Sequence, residues 1–241
     1  MSKENKSSQN QPFIKRILRI VKYGILLFFS TSILITLAYR FIPPPATPLM
    51  LIRVIEALSE NKKPSIKKDW VSIGNISQNL QLAVIASEDN NFTEHFGVDL
   101  KAIEKAQKLN KRGRKMRGAS TISQQTAKNT FLWPARTYVR KGLELYFTEL
   151  IEICWGKKRI MEVYLNVIEM GEGIYGAEAA SEYYFHKPAR NLTASEAAAI
   201  AAVLPNPRRW HPDRPSQYIS SKIGWIIHNM NNMERPEWWK K

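Results

Sequence analysis

Apolar residues run through this sequence in two patterns. Between Tyr23 and Tyr39 (YGILLFFSTSILITLAY) the stretch is uncharged and bracketed by Lys22 and Arg40. From Trp70 onward apolar residues recur at helical spacing instead: Leu80, Ala83, Val84; then Leu143, Phe147, Leu150, Ile151, Cys154; then Ile160, Val163, Tyr164, Val167. Intervals of three and four gather such residues on one face of an α-helix, and strand-like alternation is scarce. The pattern predicts a mainly α domain preceded by a single N-terminal apolar helix.

With a turn added at either end, the uncharged run reaches the roughly 30 Å of a bilayer core. That predicts a transmembrane anchor over residues 17–42. A cleaved signal peptide is the competing reading, but the run is long for an h-region, and no small-x-small site follows it before Pro43-Pro44-Pro45. Lys3, Lys6, Lys15, Arg16, Arg19 and Lys22 precede the run, against Arg40 and Arg53 after it. This bias puts a polar, unstructured tail (1–16) in the cytoplasm and the rest of the chain outside. Pro43, Pro44, Pro45 and Pro48 make a stiff exit, so 43–69 reads as a linker and 70–241 as the folded domain. No repeat of fixed period appears. The terminal Glu237-Trp238-Trp239-Lys240-Lys241 suits either a membrane interface or simple packing.

Composition narrows the partner. A formal net charge of +15 calls for something anionic: nucleic acid, an anionic membrane surface or a phosphate-bearing substrate. With 44% apolar residues in 241, wholesale disorder is excluded and one sizeable core is expected. The single cysteine, Cys154, excludes an internal disulfide framework and a cysteine-based zinc cluster. The basic, glycine-broken run Lys108–Gly118 reads as a mobile solvated loop. Placement outside the membrane argues against a nucleic-acid patch.

Three segments carry candidate chemistry. In Ala86-Ser87-Glu88-Asp89-Asn90-Asn91-Phe92-Thr93-Glu94-His95-Phe96-Gly97, Glu88 falls one turn beyond Val84, at the edge of the core-facing stripe, where partial desolvation suits a general base. The bland alternative is an acidic helix end in solvent. In Gly118-Ala119-Ser120-Thr121-Ile122-Ser123-Gln124-Gln125-Thr126-Ala127-Lys128-Asn129, Thr121 and Gln124 match a capping box. Gln125 and Lys128 then share a face, and the helix N-terminus with the lysine would make a pyrophosphate cradle. In Arg140-Lys141-Gly142-Leu143-Glu144, Arg140 and Glu144 could form an i,i+4 ion pair worth only about 0.3 kcal/mol in solvent. The other reading is a carboxylate beside two cations that helps to bind a phosphate leaving group.

These segments resemble the motifs ED-x-x-F-x-x-H-x-G, G-x-S-T-I-[ST]-Q-Q and R-K-x-x-E of the glycosyltransferase module of peptidoglycan synthases. A fourth motif, K-x-x-I-L-E-x-Y-L-N, is matched by Lys157–Asn166 with Met161 for leucine, a volume-conserving change. Gly173-Ile174-Tyr175-Gly176, Leu192–Ala198 and Pro205-Asn206-Pro207 extend the resemblance over about residues 70–212.

The resemblance implies a two-lobed, lysozyme-like helical fold and the polymerisation of lipid II into β-1,4 glycan strands with inversion. Glu88 would be the base for the acceptor 4-hydroxyl, and Glu144 the second catalytic carboxylate. Lys128, Arg140 and Lys141 would bind the departing polyprenyl pyrophosphate, with Thr121 and Gln125 contacting substrate. Asp89, Phe92 and His95 would shape the site and contact substrate, with His95 read as a satisfied structural histidine ahead of a directly catalytic one. Glu162 and Tyr164 would pack helices, and Asn166 would brace a loop. No metal ligands are singled out, no cofactor is obligatory, and a divalent cation (Mg or Mn) is an optional partner. The partners implied are lipid II, the lipid-linked glycan chain, the membrane and cell-wall synthesis or division proteins, in the inner membrane of a Gram-negative bacterium. Ser65-Ile66-Lys67-Lys68 and Ser59-Glu60-Asn61-Lys62 match S-x-x-K without a K-T-G companion, so a monofunctional enzyme is expected. The rival functions are a lytic glycan-cleaving enzyme, an inactive cell-wall scaffold and a nucleic-acid binder.

Overall fold

The computed structural model describes residues 5–111 and 120–239. Two compact units emerge, Met1–Ile42 and Pro43–Lys241. The first is one helix, α1 (Asn5–Tyr39). Its segment Ile14–Tyr39, 26 residues with a mean hydropathy of 1.9, is long and apolar enough to cross a membrane. The helix starts well before the apolar run because adding residues to a formed helix is cheap compared with nucleating one. The Thr31 and Thr36 hydroxyls donate to Leu27 O (2.7 Å) and Ser32 O (2.8 Å), so their polar atoms are satisfied within the helix.

The second unit begins earlier than the apolar periodicity predicts. Residues 43–69, expected as a linker, contain α2 (Pro48–Ser59) and β1 (Lys67–Lys68). Thr47 caps α2 and Pro48 occupies its first turn, where a missing N–H costs nothing. Leu49 and Met50 are buried and cluster with Tyr175. β1 pairs in parallel with β3 (Ile174–Tyr175), which pairs antiparallel with β2 (Glu169–Gly171). Two glycines make this small sheet possible. Gly173 turns β2 into β3 at φ +68°, and a Cβ there would sit 2.4 Å from Ser65 O; Gly176 leaves β3 at φ +86°, where a Cβ would meet Asn166 O at 2.8 Å.

The remaining helices are α3 (Gln78–Glu88), α4 (Leu100–Lys111), α5 (Ile122–Phe131), α6 (Tyr138–Val167), α7 (Ala177–Phe185), α8 (Ala194–Val203) and α9 (Gln217–Asn231). The basic run from residue 112 to 118 lies outside the described residues. α8 is apolar all round and buried from Ala197 to Val203, as a central helix must be, and α3 and α9 pack on it. α5 packs along α6, whose backbone leaves helical geometry at Gly156 (φ 72°, ψ 163°). The two helical patterns of 143–154 and 160–167 are thus successive stretches on either side of that break. The mainly helical expectation holds.

Long-range hydrogen bonds tie the segments together. Asn166 exchanges two bonds with the backbone of Val71, at 3.0 and 2.9 Å, and so braces the loop before α3. Both terminal indoles, Trp238 and Trp239, donate to Gln81 Oε1 at 3.1 and 2.9 Å. Packing is therefore the role the structure gives these two tryptophans.

Candidate active site

Glu88 is the last residue of α3. Leu80, Ala83 and Val84 are fully buried, and one turn past Val84 the half-buried Glu88 lines a cavity of about 470 Å³. Gln125 of α5 donates from Nε2 to Glu88 Oε2 at 2.9 Å, and the Tyr164 hydroxyl of α6 donates to Gln125 Oε1 at 3.3 Å. Burial pushes the Tyr164 phenol well up, and the charges of Glu88 and Asp89 push it further, so the hydroxyl stays a donor. A carboxylate at a helix C-terminus stands against the helix dipole at a cost of about 0.3–1 kcal/mol. The Gln125 amide offsets this, as do Lys128 and Lys222, which both feel the charge of Glu88.

Asp89 caps the other end of the site. Its Oδ2 accepts the Ile122 N–H at 2.9 Å, and its Oδ1 meets His95 Nε2 at 2.9 Å. Thr121 and Gln124 form the expected capping box, and the Thr121 hydroxyl also donates to Gly97 O at 2.6 Å. The N-terminus of α5 is therefore already occupied by the protein's own carboxylate and hydroxyl. This corrects the expectation of a pyrophosphate cradle there: Lys128 sits in the last turn of α5, away from that end. Phe92 is fully buried, with Lys157 Nζ 4.6 Å from its ring centre and Trp238 edge-on, so it shapes the site from behind and offers no substrate-contacting surface. Asp89 and His95 likewise commit Oδ1, Oδ2 and Nε2 to the junction between α3 and α5, while His95 Nδ1 is buried without a hydrogen-bond partner among the described residues.

A second carboxylate locks this junction. Glu152 Oε1 accepts from Gly97 N (2.9 Å), Ser123 Oγ (2.5 Å) and Lys157 Nζ (2.6 Å), and the residue is 7% exposed. It joins the loop after α3, the first turn of α5 and the middle of α6. Replacement by alanine strands three donors, so Glu152→Ala is expected to cost about 3–5 kcal/mol of unfolding free energy in urea titrations. A loss below about 1 kcal/mol would show that these donors find other partners.

The cations gather at the C-terminal end of α5. Lys128 and Arg140 line a cavity of about 540 Å³ together with Leu49 and Arg53 of α2, Trp133 and Arg136. Arg140 Nη1 and Lys141 Nζ each reach Glu144 at 2.5 Å, one to each carboxylate oxygen, and Glu144 is 3% exposed. The pair weighed as a weak surface contact is thus part of a triad around a buried carboxylate, with Arg140 half-buried and Lys141 exposed, and desolvation of Glu144 cancels part of the attraction. Stability is a poor reason for such a group; orienting two cations is a better one. Arg140 Nε is buried without a hydrogen-bond partner among the described residues, a donor suited to an anion. Burial pushes the Lys128 ammonium down, while the charges of Glu144 and Glu88 pull it back up.

Among the described residues, no three of His, Cys, Asp and Glu converge to hold a metal, and both Glu144 oxygens are taken by cations. Tyr164, Glu152, Lys157, Lys222, Arg53 and Trp225 escaped the sequence reading of the site. The Lys157–Asn166 motif contained a signal for two of them, but not their partners.

Comparison with known proteins agrees with the geometry. The family model described as Transglycosylase matches residues 54–231. A biosynthetic peptidoglycan transglycosylase of Bacteroides thetaiotaomicron is 53% identical over 218 residues, which are 90% of this chain and 88% of that one. The protein of the same description from Bdellovibrio bacteriovorus is 57% identical over 211 residues, 88% and 84% of the two chains. That from Pseudomonas syringae pv. syringae is 46% identical over 225 residues, 93% and 95% of the two chains. A match over most of the chain, with intact carboxylates and cations around one bridging helix, means that this chain belongs to the transglycosylase family.

Proposed function

We propose that this chain is a peptidoglycan glycosyltransferase that polymerises lipid II on the outer face of the cytoplasmic membrane, anchored by α1 with its N-terminus inside. One observation carries the reading. A carboxylate-bearing cavity and a cation-bearing cavity lie at the N-terminal and C-terminal ends of the same helix, α5, which reaches Glu88 through Gln125 and contributes Lys128 to the cation cavity.

In this scheme the 4-hydroxyl oxygen of the acceptor sugar attacks the anomeric carbon of the lipid-linked chain, and Glu88 takes the hydroxyl proton. The bond from that carbon to the pyrophosphate oxygen breaks, and its electron pair leaves with the pyrophosphate. Phosphate oxygens hold this charge at neutral pH, so the leaving group needs cations more than a proton. Lys128 and Arg140 supply them, and Glu144 keeps Arg140 and Lys141 oriented. An α-linked phosphate replaced by a β-linked sugar is inversion, so no covalent glycosyl enzyme forms.

The test is incubation of the purified, detergent-solubilised chain with labelled lipid II, with and without muramidase digestion of the products. Muramidase-sensitive polymer is expected. Absence of polymer across detergents and divalent ions would favour a scaffold, and cleavage of preformed glycan would favour a lytic enzyme.

A further inference from the structure

The C-terminal helix α9 brings to the Glu88 cavity a residue that belongs to none of the motifs. Its core face, Ile219, Ile226 and Met230, is buried. Trp225 is 44% exposed and lines the cavity shared by Glu88, Asp89 and Thr121. The described residues around that cavity are otherwise small, amide, hydroxyl or charged, so Trp225 is its one aromatic wall.

The indole is also held in place. One turn earlier on α9, Lys222 Nζ donates to Ala202 O at 3.0 Å, satisfying a carbonyl in the last turn of α8. This contact, together with the buried face, fixes the rotation of α9 about its axis. Lys222 also feels the charge of Glu88, which ties the same helix face to the carboxylate.

A pyranose ring has a polar rim of hydroxyls and a flat face of C–H groups. A site that orients such a ring needs polar groups at the rim and one rigid apolar plane beneath the face. The Glu88 cavity has the first in its Asp, Asn and Lys side chains and the second in Trp225. We propose that Trp225 is an acceptor-binding residue, the platform on which the sugar bearing the reactive hydroxyl packs so that its oxygen faces Glu88. The proposal rests on the glycosyltransferase reading of this cavity and adds a residue to it.

The experiment is a single coupling with the full chain in detergent. The donor is a lipid II analogue lacking the 4-hydroxyl, which can only donate. The acceptor is an analogue whose anomeric oxygen is replaced by carbon, which can only accept. Each is titrated against a saturating level of the other. For Trp225→Ala the acceptor KM is expected to rise about tenfold, the loss of one buried aromatic face. The kcat and the donor KM should stay within about twofold, and Trp225→Phe should recover most of the loss.

An unchanged acceptor KM in an active Trp225→Ala variant would overturn the proposal alone. So would a joint fall of kcat, both affinities and the melting temperature, because that marks a packing role. If wild type makes neither the coupled product nor polymer from lipid II, the glycosyltransferase reading fails, and the platform fails with it.

Discussion

Glu88→Gln is expected to lower lipid II polymerisation by about 10³-fold or more while leaving the fold intact, in line with the range for removing a general base. The substitution is nearly isosteric, and its amide oxygen can still accept the 2.9 Å bond from Gln125 Nε2. Glu88 is also half-buried, so no deep cavity or stranded charge is created. What is lost is the ability to take the proton as the acceptor oxygen attacks. Initial rates of polymer formation, measured beside a urea unfolding curve, separate the two effects. A folded variant within about tenfold of wild type would remove Glu88 from the role of base.

The second large effect is expected at Lys128. Lys128→Met keeps the length of the side chain and removes the charge that faces the leaving pyrophosphate, so the rate should fall about 10²–10³-fold. Stability should move the other way. Burial lowers the pKa of Lys128 below the ordinary 10.5, so between the lowered value and 10.5 the unfolded chain binds more protons than the folded one. The contribution of this residue to stability therefore rises with pH across that window. Below it, the charged lysine is a standing cost that methionine removes. Lys128→Met should be at least as stable as wild type at neutral pH while nearly inactive. Wild-type activity should also begin to fall on the alkaline side at a lower pH than an ordinary lysine would dictate. A variant that unfolds more readily, or that keeps its rate, would sink the leaving-group assignment.

Glu144 gives both oxygens to Arg140 and Lys141, and Asp89 gives its oxygens to His95 and the α5 N-terminus. Of the carboxylates at the core of the site, Glu88 is the one held by a neutral amide instead of a cation or a backbone cap. A base must also be reachable by the hydroxyl it deprotonates, and Glu88 lines the cavity.

Much of this was legible in the order of the residues. The apolar run of α1, the Thr121–Gln124 capping box, the emergence of Glu88 one turn past Val84 and the closeness of Arg140 to Glu144 all depend on positions no more than four apart. Helical geometry alone sets such relations, and apolar periodicity reports it directly. The motif resemblance then pointed to the chemistry before any contact was known.

Tertiary structure decided the rest. Asp89 reaches Ile122 across 33 residues, Tyr164 reaches Gln125 across 39, and Gly97 reaches Glu152 across 55. No local pattern encodes these partners, because a hydrogen-bonding side chain is equally at home with any donor that packing brings within 3 Å. For the same reason the α5 N-terminus looked open to phosphate, and residues 43–69 looked like a linker although Met50 packs with Tyr175. The sequence by itself determined the long apolar helix, the local helical relations around Glu88, Thr121 and Arg140, and which residue types could do the chemistry. Which carboxylate is held by an amide, which cations share a cavity and which aromatic lines the Glu88 cavity were decided only when distant segments came together around α5.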